Sequence, residues 1–89
     1  MNEWDDAKAR ANLDKHGLGF AEAARFDWDT AVTVEDTRRA YGERRLHSTG
    51  PIGNRLHVLV WTPRQAGPRL ISLRRANPRE KRRWENEKN

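Results

Sequence analysis

Several arginines lie beside the predicted start of a helix in the last third of the sequence. Asn77 is a typical N-cap residue, and Glu80 follows it at the spacing of a capping box. Arg74, Arg75 and Arg79 therefore surround a helix N-terminus, where free backbone N–H groups and a partial positive charge attract anions. This junction predicts a phosphate-binding site.

His16 is the histidine best suited to proton transfer. An imidazole with a pKa of about 6.5 titrates near neutral pH, and the predicted position of His16 at a helix C-terminus favours its charged form. The alternative is a structural role, in which His16 caps the helix carbonyls before Gly17. His47 and His57 are weaker candidates. His57 lies in the strongest predicted strand, where packed histidines are common. Among the histidines, His16 is therefore the candidate acid or base.

Arginine and lysine side chains could bind phosphate near these groups. Arginine stays charged at any working pH and can contact two phosphate oxygens at once. We therefore expect Arg45, Arg74 and Arg79 to bind phosphate and to stabilise the negative charge of a transition state. Lys8 and Lys15 would support them from the first helix.

Some of these charges also have structural explanations. Glu80 could bond back to the amide of Asn77, which would account for it without any reaction. Arg82 and Arg83 could belong to a solvated helix face. Arg74 lies within a predicted strand, where a charge is costly unless it faces solvent or a partner.

Capping and periodicity predict helices at both ends of the chain and strands between them. A first helix, capped by Asp5, runs from Asp6 to about His16 and ends at Gly17, and a second, short helix covers 20–26 after Gly19. The predicted strands are 31–36, 44–49, 55–62 and 69–75, with turns at Tyr41-Gly42, 51–54 and 63–68 and a last helix from Pro78. Short connections favour antiparallel pairing. We therefore predict an α+β fold with a four-stranded antiparallel sheet.

Alternation along the last strand predicts which side chains share a face. Ile71 and Leu73 would lie on one face, and Leu70, Ser72 and Arg74 on the other. If Ile71 and Leu73 pack under the helices, Arg74 faces away from them. The face that carries Arg74 is where a ligand is expected.

Composition limits the class of protein. The 89 residues suit one small domain, and the net charge of +5 favours an acidic partner such as nucleic acid or an acidic protein. The absence of cysteine excludes disulfides and thiolate metal sites. No apolar run approaches the length of a membrane span or a signal peptide, so we expect a cytoplasmic protein without a membrane association.

A set of motifs extends over almost the whole chain in a characteristic order. In sequence order the motifs are Trp4-Asp5, Lys8, Asn12, Lys15-His16-Gly17, Phe20, Ala23, Gly42-Glu43-Arg44-Arg45, Gly50, Ile71-Ser72-Leu73-Arg74-Arg75-Ala76, Arg79-Glu80 and Arg83-Trp84. With this pattern the chain resembles the BrnT toxin family. Each motif alone is a weak signal, and together they are fairly specific.

The resemblance implies a RelE-like fold and a biological role. The fold would have two amino-terminal helices, a four-stranded antiparallel sheet and a closing helix. The protein would be the ribonuclease toxin of a type II toxin-antitoxin pair, and would inhibit translation by cutting RNA without a metal or other cofactor. A BrnA-like antitoxin with a ribbon-helix-helix part would neutralise it, and operator DNA would be bound only through that antitoxin.

Metal-free RNA cleavage requires a base, an acid and positive charge on the phosphorane. Under this interpretation the catalytic candidates are His16, Glu43, Arg45, Arg74, Arg79 and Glu80, and the RNA-binding candidates are Lys8, Lys15, Arg75 and Arg83. Glu43 enters mainly through the resemblance, since a glutamate beside a turn could simply be solvated. Two alternatives remain open, namely a noncatalytic nucleic-acid-binding domain and a module that binds only an acidic antitoxin.

Overall fold

The computed structural model describes residues 3–38, 40 and 42–88. Tyr41, part of a predicted turn, lies outside the described residues. The elements are β1 (Glu3–Trp4), α1 (Asp6–His16), two 3₁₀ helices (Phe20–Arg25 and Trp28–Thr30), β2 (Val32–Glu35), β3 (Leu46–Ile52), β4 (Arg55–Arg64), β5 (Gly67–Arg75) and α2 (Pro78–Lys88). Within these ranges, no helix is long and apolar enough to cross a membrane.

Within the described residues the sheet is mixed and has five strands, in the order β1-β5-β4-β3-β2. Strands β2 to β5 pair antiparallel in succession, as predicted. The prediction of four strands is wrong by one, because Glu3 and Trp4 pair in parallel with Arg69 and Leu70 at the edge of β5. A two-residue strand is too short to show a period, so its sequence carries no strand signal.

The predicted second helix is a 3₁₀ helix with tighter turns than an α-helix. Phe26 N–H donates to the carbonyl of Ala23 at 3.1 Å, which is a bond across three residues. Phe20, Ala23 and Phe26 are all buried, and their three-residue spacing puts them on one side of such a helix. The short helix predicted at 20–26 is therefore present at Phe20–Arg25, but as a 3₁₀ helix, because its buried residues repeat every three positions.

The two hairpin turns are shorter than predicted. Pro51 belongs to β3, and Pro63 and Pro68 face each other across β4 and β5. Pro51 is tolerated because β2 ends its pairing at Thr49, so Pro51 has no strand on that side that would need its missing N–H. Gly53 supplies the positive φ of 63° in the remaining short turn.

A β-bulge in β5 corrects the predicted alternation of that strand. Val60 pairs with Ser72 and Trp61 pairs with Leu70, so Ile71 is an extra residue between them. Leu70 and Leu73 consequently both belong to the buried apolar cluster, whereas Ile71 packs with residues of the other face. The expected sharing of a face by Ile71 and Leu73 was wrong.

The inner face of the sheet carries the main core. The first 3₁₀ helix and the edge helix α1 pack there against buried residues, which include Ile52, Leu59, Leu70 and Leu73. Gly50 permits the closest approach, since a Cβ at this position would lie 2.9 Å from the ring of Phe26 and 3.2 Å from the carbonyl of Asp27. The outer face carries a smaller apolar cluster, which includes Val58, Val60 and Ile71, and is otherwise left for α2 and for polar side chains.

Candidate active site

Strand register gathers polar side chains on the outer face of the sheet. One cross-strand row contains Val34, His47, Val60 and Ser72, and the next contains Val32, Thr49, Val58 and Arg74. Helix α2 crosses this face and contacts β3. A histidine and an arginine therefore lie on neighbouring rows beside α2.

Two adjoining depressions open on this face. One, of about 470 Å³, lies toward α1, and the other, of about 430 Å³, lies between the sheet and α2. Among the described residues, Asp36, Arg38, His47 and Arg74 line both of them. We call the two depressions together the outer cleft.

Asn12 holds α1 against the edge of the sheet. Its buried carboxamide accepts from Leu73 N–H and donates to Leu73 C=O, both at 2.9 Å, and also donates to Leu18 C=O at 3.0 Å. The side chain thus satisfies the backbone of β5 where β1 has ended. This attachment places Lys8, Lys15 and His16 along the α1 side of the outer cleft.

Arg74 and Glu80 form a bidentate ion pair between β5 and α2. Both Nη atoms donate to the carboxylate oxygens at 2.8 Å. The hydrogen bond from Arg74 holds the pKa of Glu80 below its usual value of 4.5, with help from the Asn77 amide and the charge of His47, although burial opposes the shift. The same hydrogen bond raises the pKa of Arg74. Both side chains are therefore charged at neutral pH.

Glu80 also completes the capping box of α2. Asn77 N–H donates to Glu80 Oε1 at 2.9 Å, and Glu80 N–H donates to Asn77 Oδ1 at 2.8 Å. The predicted cap is therefore confirmed, and one carboxylate both starts the helix and orients Arg74. The described hydrogen bonds of Arg74 use only its Nη atoms, so its Nε–H is left for a ligand in the cleft.

Asp36 and His47 form a second polar pair in the cleft. His47 Nε2 lies 3.2 Å from Asp36 Oδ2, and the Asp36 side chain is only 4% exposed while that of His47 is 26% exposed. Arg38 donates to both oxygens of Asp36, at 3.0 and 2.9 Å. The carboxylate is thus held from one side while it orients the imidazole on the other.

His16 lies in the same depression and is kept neutral. Burial, followed by the positive charges of Lys15 and Arg74, lowers the pKa of His16 below 6.5. The helix C-terminus was expected to favour the charged form, but burial and the neighbouring cations outweigh it. At neutral pH the imidazole of His16 is therefore a proton acceptor.

Comparison with known proteins identifies the family. The family described as the ribonuclease toxin, BrnT, of type II toxin-antitoxin systems matches residues 4–80. This chain belongs to the BrnT family. The crystal structure of the Brucella abortus ribonuclease toxin BrnT, at 1.1 Å resolution, is similar with a TM-score of 0.67 and 27% identity, over 86% of this chain and 97% of that one. A search of curated proteins found no match.

Membership of the BrnT family indicates the kind of partner and the kind of target. A type II toxin-antitoxin family implies an antitoxin protein as partner and RNA as target. Seven of the residues predicted from the sequence line the cleft. His16, Arg45, Lys8 and Lys15 line the depression toward α1, Glu80 and Arg83 line the one beneath α2, and Arg74 lines both.

The remaining three predicted residues lie elsewhere. Glu43 is exposed and pairs with Arg64 at 3.2 Å. Arg79 is exposed on the first turn of α2 and lines neither depression of the cleft. Arg75 points into a separate basic depression with Arg55. Within the described ranges, no group of three or more histidine, aspartate or glutamate side chains could hold a metal ion.

The sequence did not indicate that Asp36 and Arg38 line the cleft, and it gave His47, which also lines the cleft, a weaker claim than His16. His47 and Thr49 alternate outward along β3, and Arg45, just before the strand, continues the alternation, which is the signal that could have placed His47 beside Arg45. Asp36 comes to His47 only through the pairing of β2 with β3. Neither strand alone shows that pairing.

Proposed function

We propose that this BrnT-family toxin is a metal-independent endoribonuclease that acts in the outer cleft. The observation that carries the proposal is that the imidazole of His16 lies in the same depression as Arg45 and Arg74. The RNA 2′-oxygen attacks the adjacent phosphorus, which gives a 2′,3′-cyclic phosphate and a 5′-hydroxyl. The family assignment to ribonuclease toxins supports this reaction class.

His16 is the proposed general base. A base must have a free lone pair at working pH, and the lowered pKa of His16 provides it. Its position at the end of α1, which Asn12 fixes to β5, keeps the imidazole at the cleft wall. The proton of the 2′-hydroxyl passes to this ring as the new oxygen–phosphorus bond forms.

Arg45 and Arg74 are the proposed electrostatic groups. Charge grows on the nonbridging oxygens as the phosphorane forms, so fixed cations beside them lower the barrier. Glu80 holds Arg74 by two charged hydrogen bonds, which makes Glu80 a positioning residue. The hydrogen bonds of Arg74 within the described residues use its Nη atoms, so its Nε–H can donate to phosphate.

The other charged residues have peripheral roles in this proposal. Lys8, Lys15 and Arg83 line the walls of the cleft and would bind the RNA backbone on either side of the cut. Arg75 would contact RNA farther along, outside the cleft. We assign Glu43 and Arg79 no part in the chemistry, because neither lines the cleft.

The proposed partner is a BrnA-like antitoxin with a ribbon-helix-helix part. A type II system requires a protein that binds the toxin, and the cationic cleft suits an acidic segment. The pair would act in the cytoplasm and repress its own operon through the antitoxin. Coexpression with the adjacent reading frame should yield a complex that binds operator DNA, whereas the toxin alone should not.

The experiment that tests the enzyme is cleavage of RNA by antitoxin-free protein in EDTA. We expect fragments that end in 2′,3′-cyclic phosphate, and Arg74→Ala should slow their formation at least about ten-fold. Arg69→Ala is the matched control, because Arg69 lies on the same strand but pairs with Glu3 away from the cleft. Intact RNA from a folded sample that still binds RNA would favour the noncatalytic alternative and overturn the proposal.

A further inference from the structure

We propose that His47 is the general acid of the reaction, with Asp36 as the residue that positions it. The inference rests on the proposed ribonuclease function and supplies the one group which that proposal leaves unassigned. The leaving 5′-oxygen needs a proton as its bond to phosphorus breaks. His47 is the second imidazole that lines the outer cleft, and it lines both of its depressions.

The pairing with Asp36 fixes which nitrogen of His47 can transfer a proton. Arg38 donates to both Asp36 oxygens, so Asp36 is a carboxylate and can only accept. The hydrogen between Asp36 and His47 is therefore on Nε2. Nδ1 is left to carry the proton that moves, in the same division of roles by which an aspartate orients a catalytic histidine in serine hydrolases.

Asp36 also holds the ring of His47 in place. Its carboxylate is nearly buried and lies in contact with the ring, so it fixes the orientation of the imidazole in the cleft. Other ionisable side chains line the cleft around this pair. Arg38, Arg45, Arg74 and His16 lie with it on the sheet side, and Glu80 and Arg83 approach from α2. Asp36 is the acidic side chain within hydrogen-bond distance of the His47 ring, at 3.2 Å.

The complete step balances with two histidines. The 2′-hydroxyl gives its proton to His16 as the 2′-oxygen bonds to phosphorus. The bond from phosphorus to the 5′-oxygen breaks, and His47 Nδ1–H passes its proton to that oxygen. The products are the cyclic phosphate, a 5′-hydroxyl, protonated His16 and neutral His47.

A substrate with sulfur in place of the bridging 5′-oxygen tests this role directly. A thiol has a pKa of about 8.5, far below that of an alcohol, so a thiolate leaves without a proton. His47→Gln should slow cleavage of ordinary RNA at least about 100-fold, but slow the sulfur substrate less than about five-fold. Glutamine keeps an N–H that can reach Asp36, and circular dichroism checks that the variant is folded.

Asp36→Asn provides a second, independent variant. This variant should cleave the ordinary substrate about ten-fold more slowly or worse, and the sulfur substrate should restore most of the rate. A merely structural loss would slow cleavage of both substrates equally. Equal slowing of both substrates by a folded His47→Gln, or no slowing of either, overturns the inference while the ribonuclease function stands. Wild-type protein that cuts neither substrate overturns the ribonuclease function, and the inference with it.

Discussion

The guanidinium of Arg74 spans both carboxylate oxygens of Glu80 at 2.8 Å, and the same carboxylate caps α2 through Asn77. One carboxylate thus performs the predicted capping role and also binds an arginine of the cleft. The cap fixes the carboxylate, and the carboxylate fixes the arginine. The start of α2 and the position of the Arg74 charge in the cleft therefore depend on the same carboxylate.

Substitution of Glu80 separates its two roles. Glu80→Gln keeps a capping-box side chain but loses the ion pair, so we expect the free energy of unfolding to fall by about 1–2 kcal/mol. Glu80→Ala loses the cap as well and should cost about 1 kcal/mol more. Urea unfolding measures both. Cleavage by Glu80→Gln should be reduced less than by Arg74→Ala; a larger loss would make Glu80 itself catalytic.

The Arg74–Glu80 pair also predicts an acid dependence of stability. The folded pKa of Glu80 lies below its usual 4.5, so the unfolded chain binds the proton first as pH falls. The stabilisation is complete above pH 4.5 and is lost as pH falls through the lower, folded pKa. Urea unfolding between about pH 3 and 6 should show the stability gap between wild type and Glu80→Gln closing toward the acid end. A gap that does not change with pH would contradict the shift.

The pKa of His16 is predicted to lie below 6.5, because burial and then the charges of Lys15 and Arg74 disfavour its protonated form. Above pH 6.5 His16 is neutral in both states, and below it the unfolded chain takes up the proton first, so stability falls with acid. NMR titration of the imidazole measures this. Arg74→Ala should raise the pKa, whereas Arg69→Ala should leave it where it is.

The attachment of α1 predicts a severe effect at Asn12. Asn12→Asp would direct carboxylate oxygen at the carbonyls of Leu18 and Leu73, where an N–H now donates. We expect a loss of about 2–4 kcal/mol in the free energy of unfolding. Asp14→Asn, on the exposed side of the same helix, is the control and should change it by less than about 0.5 kcal/mol. Equal effects at both positions would refute the anchoring role.

Close packing against β3 predicts the effect of Gly50→Ala. The new methyl group would lie 2.9 Å from the Phe26 ring and 3.2 Å from a backbone carbonyl, so the 3₁₀ segment must move. The cost should be about 1–3 kcal/mol. Gly19→Ala, which meets nothing within 4 Å, is the matched control. Thermal and urea unfolding of the two variants would differ little if the contact were unimportant.

Local signals predicted the parts of this fold that local interactions determine. Helix α1 has the predicted bounds, with Asp5 as its cap and Gly17 at a φ of 70° after its end. The capping box of α2 was likewise visible in the sequence, because both of its partners lie within one turn. The family motifs led to the correct family, since they are spread over most of the chain.

Features that depend on a distant strand could not be read from the sequence. The parallel strand at Glu3 and Trp4 exists only because β5 offers it an edge. The pairing of Asp36 with His47 requires the register of β2 on β3, and Asn12 reaches Leu73 across 61 positions. In each case the stabilising contact joins two distant segments, and the sequence of neither segment alone indicates it.

The extra residue at Ile71 changes what β5 can do. A regular strand cannot bury Leu70 and Leu73 on one side, because residues an odd number apart face opposite ways. Without the bulge, a strand in phase with Leu70 would turn Arg74 into the apolar core. Ile71 is therefore the one residue of β5 that takes no place in the alternation, because Leu70 and Leu73 face the core while Ser72 and Arg74 face the cleft. Removal of Ile71 would leave a regular strand with these same two faces.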